Sequence, residues 1–153
     1  MDTKQLIEEA ESLKQPSAEV AQEFDQRREQ LAAEIHRRML ERPDLETLIG
    51  SLEHREMMGN NCQNMTRFMG TMFTAYDPAA FVHTVEWVFR AYRSHGFSTL
   101  YWSAKLDTFI EVARGGLTEG AFGAIRPYFE WLIVHTPAFV ALIDAAVSAD
   151  AAD

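Results

Sequence analysis

Met58, Cys62, Met65, Met69, Met72 and Tyr76 follow one another at intervals of 4, 3, 4, 3 and 4 residues. An α-helix turns once in about 3.6 residues, so this spacing places all six on one stripe; a strand would scatter them over two faces. Glu56, Gln63 and Arg67 fall on the opposite side of the same helix. The run from Glu56 to Phe73 also carries five of the chain's seven methionines and its one cysteine. Thioethers and thiolates suit Cu(I), but methionine more often fills irregular gaps in cores and adaptable binding surfaces. The stripe therefore reads as a core seam, part of which can form a pocket wall, and no metal ligand is assigned. With apolar neighbours on that seam, Cys62 reads as an inert thiol.

The same period recurs along the chain. Residues 2–14 form a short amphipathic pattern interrupted by Pro16, and Ser17 is placed to cap a long helix ending at Arg42, with Val20, Phe24, Leu31, Ile35 and Met39 on one stripe. Asp44 is placed to cap a short helix carrying Leu45, Leu48, Ile49 and Leu52. At about 100° per residue that face lies nearly opposite the methionine stripe, so a break or bend is expected between Gly50 and Gly59. Asp77-Pro78 is a cap followed by a residue with preset helical φ, and Gly96 closes the helix it opens. Ser98 starts the next, which Gly115-Gly116 ends; Thr118 starts another, which Pro127 should kink, and Thr136-Pro137 should open a separate final helix. No useful stretch alternates with period two. The expected fold is all-α, a single-domain bundle of six or seven helices compatible with a globin-like form: a helical extension over 1–16, the bundle over 17–148 and a disordered tail over 149–153.

Composition narrows the functional classes. Fourteen basic residues stand against 23 acidic, a formal net charge of −9, and the cluster Arg27, Arg28, Arg37, Arg38 and Arg42 is interleaved with glutamates, which reads as a solvated face rather than a nucleic-acid footprint. One cysteine excludes an internal disulfide and a cysteine-built zinc site. The acidic N-terminus lacks a signal-like apolar run, and no stretch is read as the roughly 20 apolar residues of a membrane span. The expected location is cytoplasmic, with neither nucleic acid nor membrane as partner. There is no G-x-S-x-G, P-loop or glycine-rich dinucleotide turn, so no catalytic residues are assigned and the chain is read as a non-enzyme.

Candidate binding residues come from helical phase. His54 falls on the arc of Met58 and Met65, while Asn61 points close to the methionines and Asn64 flanks Met57; such amides either fix local backbone or contact a ligand in an apolar cavity. His83 and Glu86 share a solvated face with Arg90, and His95 suits a helix C-terminus. Haem needs an axial histidine, and His54, His83 and His135 are each conceivable, with nothing to select among them. Trp87 lies off the core stripe of its helix, and Tyr128, Trp131 and His135 lie opposite Phe129 and Ile133. Helices apolar on more than one side are central, line a pocket or meet a partner.

The run "NMTRFMGTMFTAYDPAAFVHTVEWVFRAYRSHGF" resembles a helical module of bacterial sensor and regulatory proteins. It looks like the bundle beside B12-binding domains in some transcription regulators and, more loosely, the haem-free globin-like sensor domains of stressosome proteins. The shared pattern is an aliphatic helix, the Asp77-Pro78 turn, Phe81, Trp87 six residues later and Gly96 closing the helix, within residues 58–113. The chain lacks D-x-H-x-x-G, and Phe97 and Ser98 stand where light-sensing B12 regulators carry a Glu-His pair, which argues against cobalamin. The resemblance implies a stand-alone regulatory module that senses a small apolar or tetrapyrrole-like ligand and signals through a homodimer or a regulatory protein partner. The pocket would use His54, Met58, Asn61, Met65, Met69, Trp87 and Tyr128, with Trp131 and His135 at the interface. The alternatives are a purely structural homodimer and a haem-binding globin-like protein.

Overall fold

The computed structural model describes the backbone of residues 1–152 and the side chains of residues 1–148; the tail expected over 149–153 lies outside the described side chains. Seven α-helices follow in order: α1 (Thr3–Ala10), α2 (Ala18–Leu40), α3 (Leu45–Ile49), α4 (Arg55–Thr74), α5 (Pro78–Ser94), α6 (Leu100–Gly116) and α7 (Glu119–Ala152), with a 3₁₀ turn at Leu52–His54. No strand occurs among the described residues. The protein is an all-α single-domain bundle.

Most helix starts follow from side-chain chemistry. Ser17 Oγ accepts from Val20 N at 3.2 Å, and Asp77 Oδ1 from Ala80 N at 3.1 Å with Pro78 next to it. Each satisfies a backbone donor that the first helical turn leaves free. At α1, Asp2 and Gln5 cap each other reciprocally. Asp44 does not cap α3: its carboxylate receives both Nε and Nη2 of Arg42 instead, at 2.9 and 3.0 Å. The guanidinium offers the carboxylate a full opposite charge and two parallel donors, where a cap offers a single backbone N–H, so the arginine wins the oxygens.

The phase change read between Gly50 and Gly59 falls at its early end. Gly50 takes φ +83°, the 3₁₀ turn follows, and Gly59 lies inside α4. The Gly50 bend also meets the turn between α5 and α6, where Gly96 takes φ +92°. Ser98 N donates to the Leu48 carbonyl at 2.9 Å, and a Cβ added at Gly50 would sit 2.5 Å from the Gly96 carbonyl oxygen.

One long helix replaces the two expected at the C-terminal end. α7 runs through both Pro127 and Pro137. A proline inside a helix costs about 3 kcal/mol. Against that, Phe129, Leu132, Thr136, Phe139 and Ile143 form one buried stripe that continues across Pro137. Each large apolar side chain buried there contributes about 1.5–3 kcal/mol, so packing outweighs the proline. The Thr136 hydroxyl, expected as a cap, instead donates back to the Leu132 carbonyl at 2.7 Å. The segment Glu119–Ser148 is also long and apolar enough by composition to cross a membrane, contrary to the sequence reading; the stripe named above lies in the bundle core.

The core centres on α2, which packs along α4 and also meets α6 and α7. Phe24 meets Phe73 edge-on at 4.9 Å, Phe73 meets Tyr128 at 5.1 Å, and Phe109 stacks on Phe129 at 4.2 Å. The N-terminal α1 belongs to this core, since Leu6 and Ala10 are fully buried and α1 lies on α5. α5 bears on α1 and α7, and the space between α5 and α4 stays partly open.

Two glycine substitutions separate strain from collision. Gly96→Ala meets no atom within 4 Å and should cost roughly 1 kcal/mol for its left-handed backbone alone. Gly50→Ala adds a backbone clash and should cost more than twice as much. Urea unfolding would show this as a lower midpoint at unchanged slope; equal losses for the two variants would refute the reading.

Candidate ligand-binding cleft

A cleft of about 470 Å³ opens between α4 and α5, backed by α6 and one residue of α7. Met57, Met65, Phe68 and Met69 form the α4 wall, and Val85, Trp87, Val88 and Tyr92 the α5 wall. Trp102, Leu106 and Leu132 close the back, and His95 stands at the rim. The local cause is the two-sided α4. Met58, Cys62 and Met72 turn into the core and are almost completely buried, while the half-buried Met57, Met65 and Phe68 face the cleft. Stacking holds the back wall rigid: Phe89 lies parallel to Trp102 at 4.3 Å, and Tyr92 meets Trp102 edge-on at 5.8 Å.

The inner end of the cleft is polar. Asn61 lines it and is only 3% exposed. Its Oδ1 accepts the Tyr101 hydroxyl at 2.9 Å and the Lys105 ammonium, both from α6. Tyr101 and Lys105 have no exposed surface. Phe97 and Trp102 enclose the Tyr101 ring at 5.0 Å each, and burial pushes its hydroxyl pKa well above the ordinary range. Burial pushes the Lys105 pKa down to about 8, opposed by the neighbouring Cys62 thiol. Burial likewise raises the Cys62 thiol, opposed by Lys105, so Cys62 stays protonated and unreactive. Tyr92 is raised by burial and drawn back by a hydrogen bond from Asn61.

Of the residues read from helical phase, Asn61, Met65, Met69 and Trp87 come together at the cleft. His54, Met58 and Tyr128 do not. His54 bonds the Ile49 carbonyl through Nδ1 at 2.8 Å and packs on Phe97 behind the rim. Met58 is a core residue, and Tyr128 donates to the Lys14 carbonyl at 2.8 Å on the far side of the bundle. Trp131, expected at an interface, is 8% exposed and stacks on His135 at 4.0 Å; His135 meets Glu9 of α1 at 2.5 Å. α1 folds over these two residues, so they face this chain's own N-terminus. Glu86 accepts the Thr3 hydroxyl at 2.7 Å, again from α1. Tyr92, Tyr101 and Lys105 were missed. Lys105 carried a usable signal: it lies three residues after Trp102 and four before Phe109, inside the apolar stripe of α6.

Compared with known proteins, the chain matches no family model, no curated protein and no solved structure. The cleft is therefore interpreted from its own chemistry.

The buried lysine has a stability signature. Its folded pKa, about 8, lies below the ordinary 10.5, so between these values the unfolded chain binds more protons and stability rises with pH. Below about pH 8 the full cost of burying the charge, roughly 3 kcal/mol, is present; above about pH 10.5 it is gone. A Lys105→Met variant should therefore be more favourable relative to wild type at pH 7 than at pH 10.5, by about 2–3 kcal/mol in urea unfolding. The tyrosines titrate in both proteins and cancel in the comparison. A pH-independent difference would count against a charge-bearing buried lysine.

Proposed function

We propose that this chain is a non-enzymatic regulatory module that binds a small apolar or flat molecule in the cleft between α4 and α5. The observation that carries the reading is the cleft itself. Its volume falls within the range of small-molecule sites, and its walls are mainly methionine, valine and aromatic side chains with a few polar groups, Asn61 and Tyr92 among them. Methionine walls adapt to an occupant at low cost. Trp87 supports a signalling role, because it lines the cleft and is also 67% exposed, so an occupant alters a residue on the outer surface. The homodimer or protein partner that would receive the signal belongs to the same proposal, with the exposed Trp87 in place of the buried Trp131 as its anchor. The sensor-module resemblance points the same way.

A tetrapyrrole is the second reading, favoured by His95 at the rim. His54, His36 and His135 are engaged in hydrogen bonds elsewhere, and His83 is exposed and not part of the cleft lining, so a haem ligand at the cleft would be His95.

The test is a thermal-shift and tryptophan-fluorescence titration with dodecanoate, riboflavin 5′-phosphate and haemin. At least one should raise the melting temperature and change Trp87 emission, and Met65→Trp, which fills the cleft, should weaken that binding at least about tenfold with little change in stability. Haemin binding through His95 would give a Soret band lost in His95→Ala. No shift with any of the three would sink the ligand-binding reading.

A further inference from the structure

We infer that the cleft selects an amphipathic carboxylate, with its apolar body against the methionine and aromatic walls and its carboxylate at Asn61 and Tyr92. This rests on the cleft being a ligand site, as proposed above.

The argument begins with the orientation of one amide. An asparagine side chain has an accepting oxygen and a donating NH2, and its neighbours decide which way it faces. Lys105 can only donate, through its ammonium, and Tyr101 directs its hydroxyl at the same atom. Both demand the oxygen, so Oδ1 points away from the cleft towards α6. The NH2 therefore points away from these two donors, and Asn61 and Tyr92 both line the cleft. The amide NH2 and the Tyr92 O–H are each able to donate to an occupant. The inner end of an apolar cavity thus presents donors, and what complements donors is an acceptor.

Charge decides which acceptor. Lys105 is fully buried and bonded to a neutral amide, with the Cys62 thiol as the other group acting on it. The titratable groups around it are Cys62 from α4, Tyr92 from α5 and Tyr101 from α6 itself, all neutral at pH 7. No carboxylate of the protein offsets the ammonium. Its field passes through the Asn61 amide, polarises the NH2 and favours a negative partner over a neutral one. The chain's formal net charge of −9 does not cancel this preference. Exposed charges are screened over about 8 Å at physiological salt, whereas a buried pair in low dielectric is not.

The experiment compares dodecanoate with dodecanol, both below their aggregation limits, by calorimetric titration at pH 7. The two share an apolar body and differ in the charge of the head. Dodecanoate should bind at least about tenfold tighter, the worth of one charge-assisted hydrogen bond. Lys105→Met, which lies outside the cleft lining, should abolish that ratio while leaving dodecanol affinity within about twofold. Asn61→Leu should abolish it too, and agreement between the variants guards against either one misfolding. Equal binding of the two probes to the wild type would overturn the carboxylate inference while leaving the cleft as a ligand site. A ratio that survives in Lys105→Met would also overturn it, since the buried cation would not be its source. Binding of neither probe would overturn this inference, and the ligand-site reading would fall with it if riboflavin 5′-phosphate and haemin also left the melting temperature and tryptophan emission unchanged.

Discussion

A lysine ammonium enclosed in a helical bundle needs a partner, and here Asn61 supplies it. The bond from Lys105 to the Asn61 oxygen joins α6 to α4 at the point where α4 divides its methionines between core and cleft. Tyr101 adds a second donor to the same atom and is itself locked by Phe97 and Trp102. Much about the cleft follows from this junction: the direction of the amide, the polarity of the inner end and the stacked aromatic wall behind it. The cost of burying the charge is set against the packing of Phe24, Phe73, Phe109 and Phe129, which belongs to the same core.

The helices were largely legible in the sequence because their ends depend on local chemistry. Ser17, Asp77 and Gly96 act within a few residues of themselves, and each does what its type suggests. Asp44 and Pro137 did not, for one reason: a stronger interaction claimed them. Arg42 took the Asp44 carboxylate, and the buried stripe from Phe129 to Ile143 carried α7 through the proline. Neither competitor is visible from the cap signal alone.

The site was legible only in part. A helical wheel states the direction of a side chain around its own axis and nothing about what stands opposite. Met58 and Met65 share one stripe, yet α4 has the core on one flank and the cleft on the other, so the stripe is split between them. Tyr128 and Trp131 were rightly apolar-facing, but α1 and the N-terminal segment cover that side. Lys105 was passed over because lysine is almost always at the surface. Its place within an apolar stripe was the contrary sign, and it has weight only when read together with Asn61 more than forty residues earlier.

The contact between the Gly50 bend and the Gly96 turn gives the cleft two unlike edges. The turn carrying His95 and Phe97 is pinned to the end of α3 by the Ser98–Leu48 hydrogen bond and by close backbone contact. The opposite edge consists of a half-buried thioether and an exposed indole, Met65 and Trp87, which are held by side-chain packing rather than by a backbone bond of this kind. One side behaves as a fixed jamb and the other as a leaf hung on side-chain rotamers, which reorient in picoseconds to nanoseconds while backbone joints hold. A molecule of the kind proposed would therefore reach the inner end on the methionine side, by rearranging side chains and without unfolding any helix.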